Sequence, residues 1–122
     1  MNRKQFINSL IDTIVNSLST CGVDKDVTLR INNISIIEST VGTLGNIGTA
    51  EAAGRLLQLL DDKNWCIVYF AVKCLGELKA VEAVDKLLQI YKDYPVADVR
   101  IAASYALESI TSDIDNVKKL FS

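Results

Sequence analysis

The sequence predicts an all-α protein, a single domain over residues 1–122 built as a solenoid of about three helix pairs behind an N-terminal capping helix. Three observations lead there. First, the chain repeats itself. Shifted by 31 residues, Ile36–Asp62 falls on Ile67–Asp93 with ten of 27 pairs identical, among them Leu44/Leu75, Gly45/Gly76, Glu51/Glu82, Leu56/Leu87, Leu57/Leu88 and Gln58/Gln89. A further step of 32 brings Ile67 onto Val99, Ala71 onto Ala103, Cys74 onto Ala106 and Leu75 onto Leu107. Second, apolar residues inside each unit recur at helical intervals, and a period in the thirties with helical spacing is the mark of a helical solenoid. Third, Pro95 is the only proline, so long helices meet few breaks.

Taken in order, residues 3–18 carry Phe6, Ile7, Leu10, Ile11, Ile14, Val15 and Leu18 on one stripe, separated by Asn, Ser, Asp and Thr. This predicts an amphipathic helix capping the solenoid; a membrane-surface helix would need a basic polar face, which this one lacks. Gly22 is placed to end it in a left-handed conformation. The first repeat spans about 27–62. Its first helix reaches Leu44, and its second, buried through Ala53, Leu56, Leu57 and Leu60, starts after Thr49 as cap. Gly42, Gly45 and Gly48 invite a phosphate-loop reading, but no Lys-Ser/Thr follows; close packing or a chain reversal accounts better for the recurrence of Gly45 as Gly76.

The second repeat spans about 63–94. Asn64 is the expected cap of a helix from Trp65 to Leu78 that is apolar nearly all round, hence flanked on both sides. Its partner helix, Val81–Tyr91, is expected to bury Val84, Leu87, Leu88 and Tyr91 before Pro95 closes the unit. The third repeat, about 96–122, should begin with a helix over 98–110 facing inward through Val99, Ala102, Ala103, Ala106, Leu107 and Ile110. A turn at 111–113 and a short last helix over 114–121 should follow.

Composition removes whole classes of chemistry. The chain has no histidine, which excludes histidine-based triads and general bases and most zinc or iron sites. Its acidic pairs, Asp61/Asp62 and Asp113/Asp115, fall at predicted turns, where aspartate closes turns and caps helices. No catalytic residue, cofactor site or metal site is predicted. Net charge is −2, without the basic footprint of a nucleic-acid binder. No apolar run reaches the roughly 18 residues that span a bilayer, and no signal peptide is recognisable, so the expected compartment is the cytoplasm. Cys66 and Cys74 lie eight apart on one predicted helix, about 12 Å, too far to pair. Cys21, Cys66 and Cys74 are therefore read as reduced residues filling small core positions, a reactive thiol being the alternative.

The segments Asp62-Lys-Asn-Trp-Cys-Ile-Val-Tyr-Phe-Ala-Val-Lys-Cys-Leu-Gly-Glu-Leu and Asp98-Val-Arg-Ile-Ala-Ala-Ser-Tyr-Ala-Leu-Glu-Ser-Ile resemble HEAT-like repeats, more narrowly the short bacterial and archaeal kind named from phycobilisome lyases. The resemblance covers about 85 residues. The Val-Arg pair of that pattern stands only at Val99-Arg100, and Glu108 replaces its glycine. The resemblance implies a right-handed α-α superhelix whose second helices line the concave face. It also implies that Arg100 serves as a ladder residue, paired with an acid of an adjacent repeat, in preference to a ligand contact.

Glu51, Arg55, Gln58, Glu82, Lys86 and Gln89 point away from the leucines of the second helices and match in kind between repeats. They form either an ordinary solvated face or a binding face for a protein or peptide. Trp65, Tyr69 and Tyr94 stand near the inter-repeat turns as aromatic anchors or as packing across the boundary. The leading expectation is a non-catalytic protein-interaction module or small scaffold using the concave face. Two rivals are a bilin lyase-like or pigment-handling subunit and a DNA-binding or base-repair protein of HEAT-like type. An apolar flank bared at a terminal repeat would give a weak homodimer.

Overall fold

Among the residues that the computed structural model describes, 3–18, 39 and 50–121, the chain forms five α-helices. They are α1 (Arg3–Leu18), α2 (Ala50–Leu59), α3 (Trp65–Glu77), α4 (Val84–Asp93) and α5 (Ala97–Phe121), with a 3₁₀ turn at Val81–Ala83 leading into α4. Of the expected first helix of repeat one only Ser39 is described, and it is helical; the rest lies outside the described residues, and with it Gly22, Gly42, Gly45, Gly48 and Thr49. Consecutive helices pack in pairs: α1 against α2, α2 against α3, and α5 along both α3 and α4.

α3 is the centre of the core because its sequence offers no polar stripe. Cys66, Ile67, Val68, Phe70, Ala71, Val72, Cys74 and Leu75 are buried on every side of it. Its start is fixed by Asn64, whose side-chain oxygen accepts from the Cys66 backbone N–H at 2.9 Å, as a cap should. The same amide donates through Nδ2 to the Leu18 carbonyl at 3.0 Å, tying the end of α1 to the start of α3. Asp62 Oδ1 accepts from the Asn64 N–H at 2.8 Å and holds the turn that presents the cap.

The end of α3 is a Schellman closure. The Lys79 N–H reaches the Gly76 carbonyl and the Ala80 N–H the Leu75 carbonyl, both at 3.1 Å. Lys79 takes the left-handed conformation this requires, with φ 55°, a position that favours glycine. The recurrent glycine serves close packing: a Cβ on Gly76 would stand 2.8 Å from both the Cα and the Cβ of Ala106 in α5. Ser109 of α5 also donates to the Gly76 carbonyl, at 3.2 Å.

Three expectations need correction. Phe6 is exposed, since the buried line of α1 is Ile7, Ile11, Ile14 and Leu18 and Phe6 falls beside it. Leu88 and Tyr91 are also exposed. The line that α4 buries is Leu87 and Ile90, continuing from Ala83 of the 3₁₀ turn, one position round the helix. Finally, no turn separates residues 110 and 114: α5 runs unbroken through them. Thr111 occupies the place, 32 residues on, that Lys79 holds in the preceding unit. A β-branched residue resists positive φ, and the Thr111 hydroxyl donates instead to Leu107 O at 2.7 Å inside the helix. Because Ser109 already meets the last turn of α3, the remainder of α5 continues past the end of that helix.

Candidate functional site

The six polar residues matched between repeats divide into two groups. Arg55 of α2 and Lys86 of α4, equivalent at the 31-residue period, each reach back to an acid of the preceding element. Arg55 pairs with Asp12 of α1, with its other nitrogen 3.5 Å from Asn8 Oδ1, and Lys86 pairs with Asp61 at 2.5 Å. Both pairs are substantially solvated, so each contributes on the order of 0.2–1 kcal/mol. Arg55 thereby ties α2 to α1 and Lys86 ties α4 to the turn after α2, while Gln58 and Gln89, also equivalent, are exposed. Glu82 is exposed beside them at the start of the 3₁₀ turn. Glu51 lies in the first turn of α2, and its side chain is outside the described residues.

The three aromatics named as anchors are half-buried against the core. Trp65 opens α3. Tyr69 lies one turn on and carries the Lys73 ammonium 5.9 Å above its ring, within cation–π range. Tyr94 follows α4. Burial, and secondarily the Asp62 carboxylate, push its phenol above the ordinary value of 10.0. Among the described residues, Arg100 pairs with no acid of the kind the resemblance implied. Its guanidinium donates to the carbonyls of Tyr94 at 2.6 Å and Pro95 at 3.1 Å, clamping the turn that precedes its own helix. That turn has no secondary-structure partners for its carbonyls, and a guanidinium fork supplies them.

The cysteines also depart from expectation. Cys74 is a buried free thiol, but Cys66 is disulfide-bonded. Cys21, the remaining cysteine of the chain, lies outside the described residues. Among the described residues no group of three metal-ligating side chains converges, and no helix is long and apolar enough to cross a membrane.

Two exposed apolar features escaped the sequence reading. One is the flank of α4 with Val81, Leu88 and Tyr91; the other is Ile101 and Tyr105 on α5, where Tyr105 overhangs a shallow groove against Lys73, Gly76 and Glu77 of α3. The signal for the first was present in the one-residue offset between Ala83-Leu87-Ile90 and Val84-Leu88-Tyr91: a 10-residue helix with two apolar lines buries one and shows the other unless a second neighbour arrives. A search of curated proteins finds no match. The model of the family described as HEAT repeats, by contrast, matches residues 30–108, about two thirds of the sequence, and spans α2, α3, α4 and most of α5. With paired helices, a shared 31-residue period and a glycine seated against the next unit's alanine, the chain belongs to the HEAT-repeat family.

Proposed function

We propose that the chain is a non-catalytic protein-interaction module that binds a protein or peptide on the face of its second helices. HEAT repeats typically mediate protein interactions, which sets the class. The observation that carries the choice of face is the pair of equivalent ion pairs, Arg55–Asp12 and Lys86–Asp61. Between them they tie α2 to α1 and α4 to the end of α2, beside the exposed Gln58, Glu82 and Gln89. Exposed amides suit an extended backbone, whose N–H and C=O groups need donors and acceptors. Glu51 belongs to the same set by sequence position.

The test is a pull-down from the source cells with the wild-type chain beside Gln58→Arg with Gln89→Arg. Both glutamines are exposed, so circular dichroism should show an unchanged fold. Partner capture by the wild type and its loss in the folded variant is the expected result. A partner held equally by both would remove this face from consideration. Arg55 and Lys86 are unsuitable for this purpose, since reversing either breaks an inter-repeat pair.

A further inference from the structure

Val81 of the 3₁₀ turn and Val84, Leu88 and Tyr91 of α4 follow one another at intervals of three, four and three, an apolar stripe along one side. Lys86, on the opposite side, reaches back to Asp61 of the preceding unit, so the stripe faces the direction in which the next second helix would lie. The preceding repeat shows what normally happens to this flank. Ala53, Leu57 and Leu60 occupy the equivalent positions of the first repeat; Ala53 and Leu60 are 4% and 5% exposed and Leu57 is half-buried. In α4 the corresponding Leu88 and Tyr91 are 39% and 48% exposed, and Val81 55%. Because α5 runs straight on and does not fold back, no third second helix covers them among the described residues.

We propose that the Leu88 and Tyr91 part of this flank is covered by the same part of a second copy of the chain, α4 against α4 in antiparallel orientation about a two-fold axis. The charges bordering the stripe choose the occupant and the register. Asp85 and Lys92 lie seven residues apart, two turns along the same edge, and neither has an ion-pair partner among the described residues. An antiparallel copy that sets Leu88 against Tyr91 of the second copy, twice, brings Asp85 opposite Lys92 of the second copy, also twice. Sliding by one heptad would instead face Asp85 with its own symmetry mate and leave Lys92 unmatched, so the charges disfavour that register. An isologous contact needs a self-complementary patch, and this stripe is one. The patch is small, so the dimer is weak, with a Kd on the order of 10–100 µM.

Sedimentation equilibrium across that concentration range tests it. The wild type should pass reversibly from monomer to dimer. Asp85→Lys alone, or Lys92→Asp alone, places like charges opposite one another twice and should weaken the dimer about tenfold or more at low salt. An equimolar mixture of the two single variants restores both attractions and should dimerise like the wild type. Leu88→Gln keeps every charge and should be monomeric. A wild type that stays monomeric up to about 1 mM overturns the proposal and leaves the stripe to a foreign helix. Single variants that dimerise as tightly as wild type, or a mixture that fails to recover, overturn it too, as does a Leu88→Gln variant that dimerises undiminished.

Discussion

Replacing Asn64 isolates how the capping helix is joined to the repeats. One side chain holds two elements: its oxygen caps α3 at Cys66 N–H, and its nitrogen donates to Leu18 O at the end of α1. Asn64→Ala removes a cap worth about 1 kcal/mol and an inter-element bond worth about another, both partly shielded from water. The sum, about 2 kcal/mol, divides by an unfolding entropy of about 0.26 kcal/mol per kelvin for 122 residues to give a fall in Tm of about 8 °C. Asn64→Ser separates the two contributions. Its hydroxyl still accepts from the α3 N–H groups but is too short to reach Leu18, so about half of the loss should remain. Thermal unfolding followed by circular dichroism at 222 nm reads all three proteins. A Tm unchanged within about 2 °C in Asn64→Ala would show that neither bond bears on stability. A serine variant as unstable as the alanine variant would refute the assignment of half the effect to the cap.

Three further perturbations follow from the same geometry. Gly76→Ala forces a Cβ onto the Ala106 backbone and should cost about 1–3 kcal/mol of overpacking, whereas Gly54→Ala, with nothing within 4 Å, should add about 1 kcal/mol of helix propensity; urea denaturation should move the two midpoints in opposite directions. Lys79→Gly relieves a side chain held at φ 55° and should raise stability by about 0.5–1 kcal/mol in the same assay. Tyr94 has its folded pKa raised above the unfolded value, so it contributes stability that is fully present below pH 10.0 and is lost as pH climbs through the folded value. Tyr94→Phe should therefore flatten the alkaline arm of the stability profile above pH 10.0 while leaving the neutral region nearly unchanged in shape, as equilibrium unfolding at stepped pH would read.

The sequence made α1, α2, α3 and α4 legible because each is written in local terms. A stripe at three- and four-residue spacing, a cap at Asn64 and a glycine that recurs are all visible within a few residues of the element they govern. The ion pairs were not legible, because Asp12 lies outside the aligned stretch that singles out Arg55 and Lys86, and Asp61 falls on Lys92 in it and not on a second acid. Arg55 and Lys86 each tie back to the preceding element, and that appears only when the preceding element is in place. The partnering of Arg100 with two turn carbonyls was equally hidden, since backbone acceptors leave no trace in composition. Cys66 shows a different limit. Excluding a bridge to Cys74 by helical distance was sound, but it left open a bond to a residue distant in sequence.

Internal repetition predicts equal environments, but equivalent positions do not have equivalent neighbours. Leu57 and Leu88 are the same residue at the same place in the period, and Leu60 and Tyr91 are equivalent large apolar residues, yet the earlier two are half-buried and buried and the later two are exposed. What decides between these outcomes is a neighbour, and the neighbour is decided by one backbone angle. At Lys79 the chain accepts a left-handed residue, ends α3 and turns back to build a second helix. At Thr111 it does not, α5 continues, and the flank of α4 that a third second helix would have covered stays in water. A substitution that restored the reversal, Thr111→Gly, would place a residue tolerant of positive φ where Lys79 stands in the preceding unit. If the turn is what the third unit lacks, that variant should lose the wild type's concentration-dependent dimer as its own last segment folds back over Leu88 and Tyr91. A Thr111→Gly chain that still dimerises like the wild type would separate the two, leaving the exposure of the stripe independent of how α5 ends.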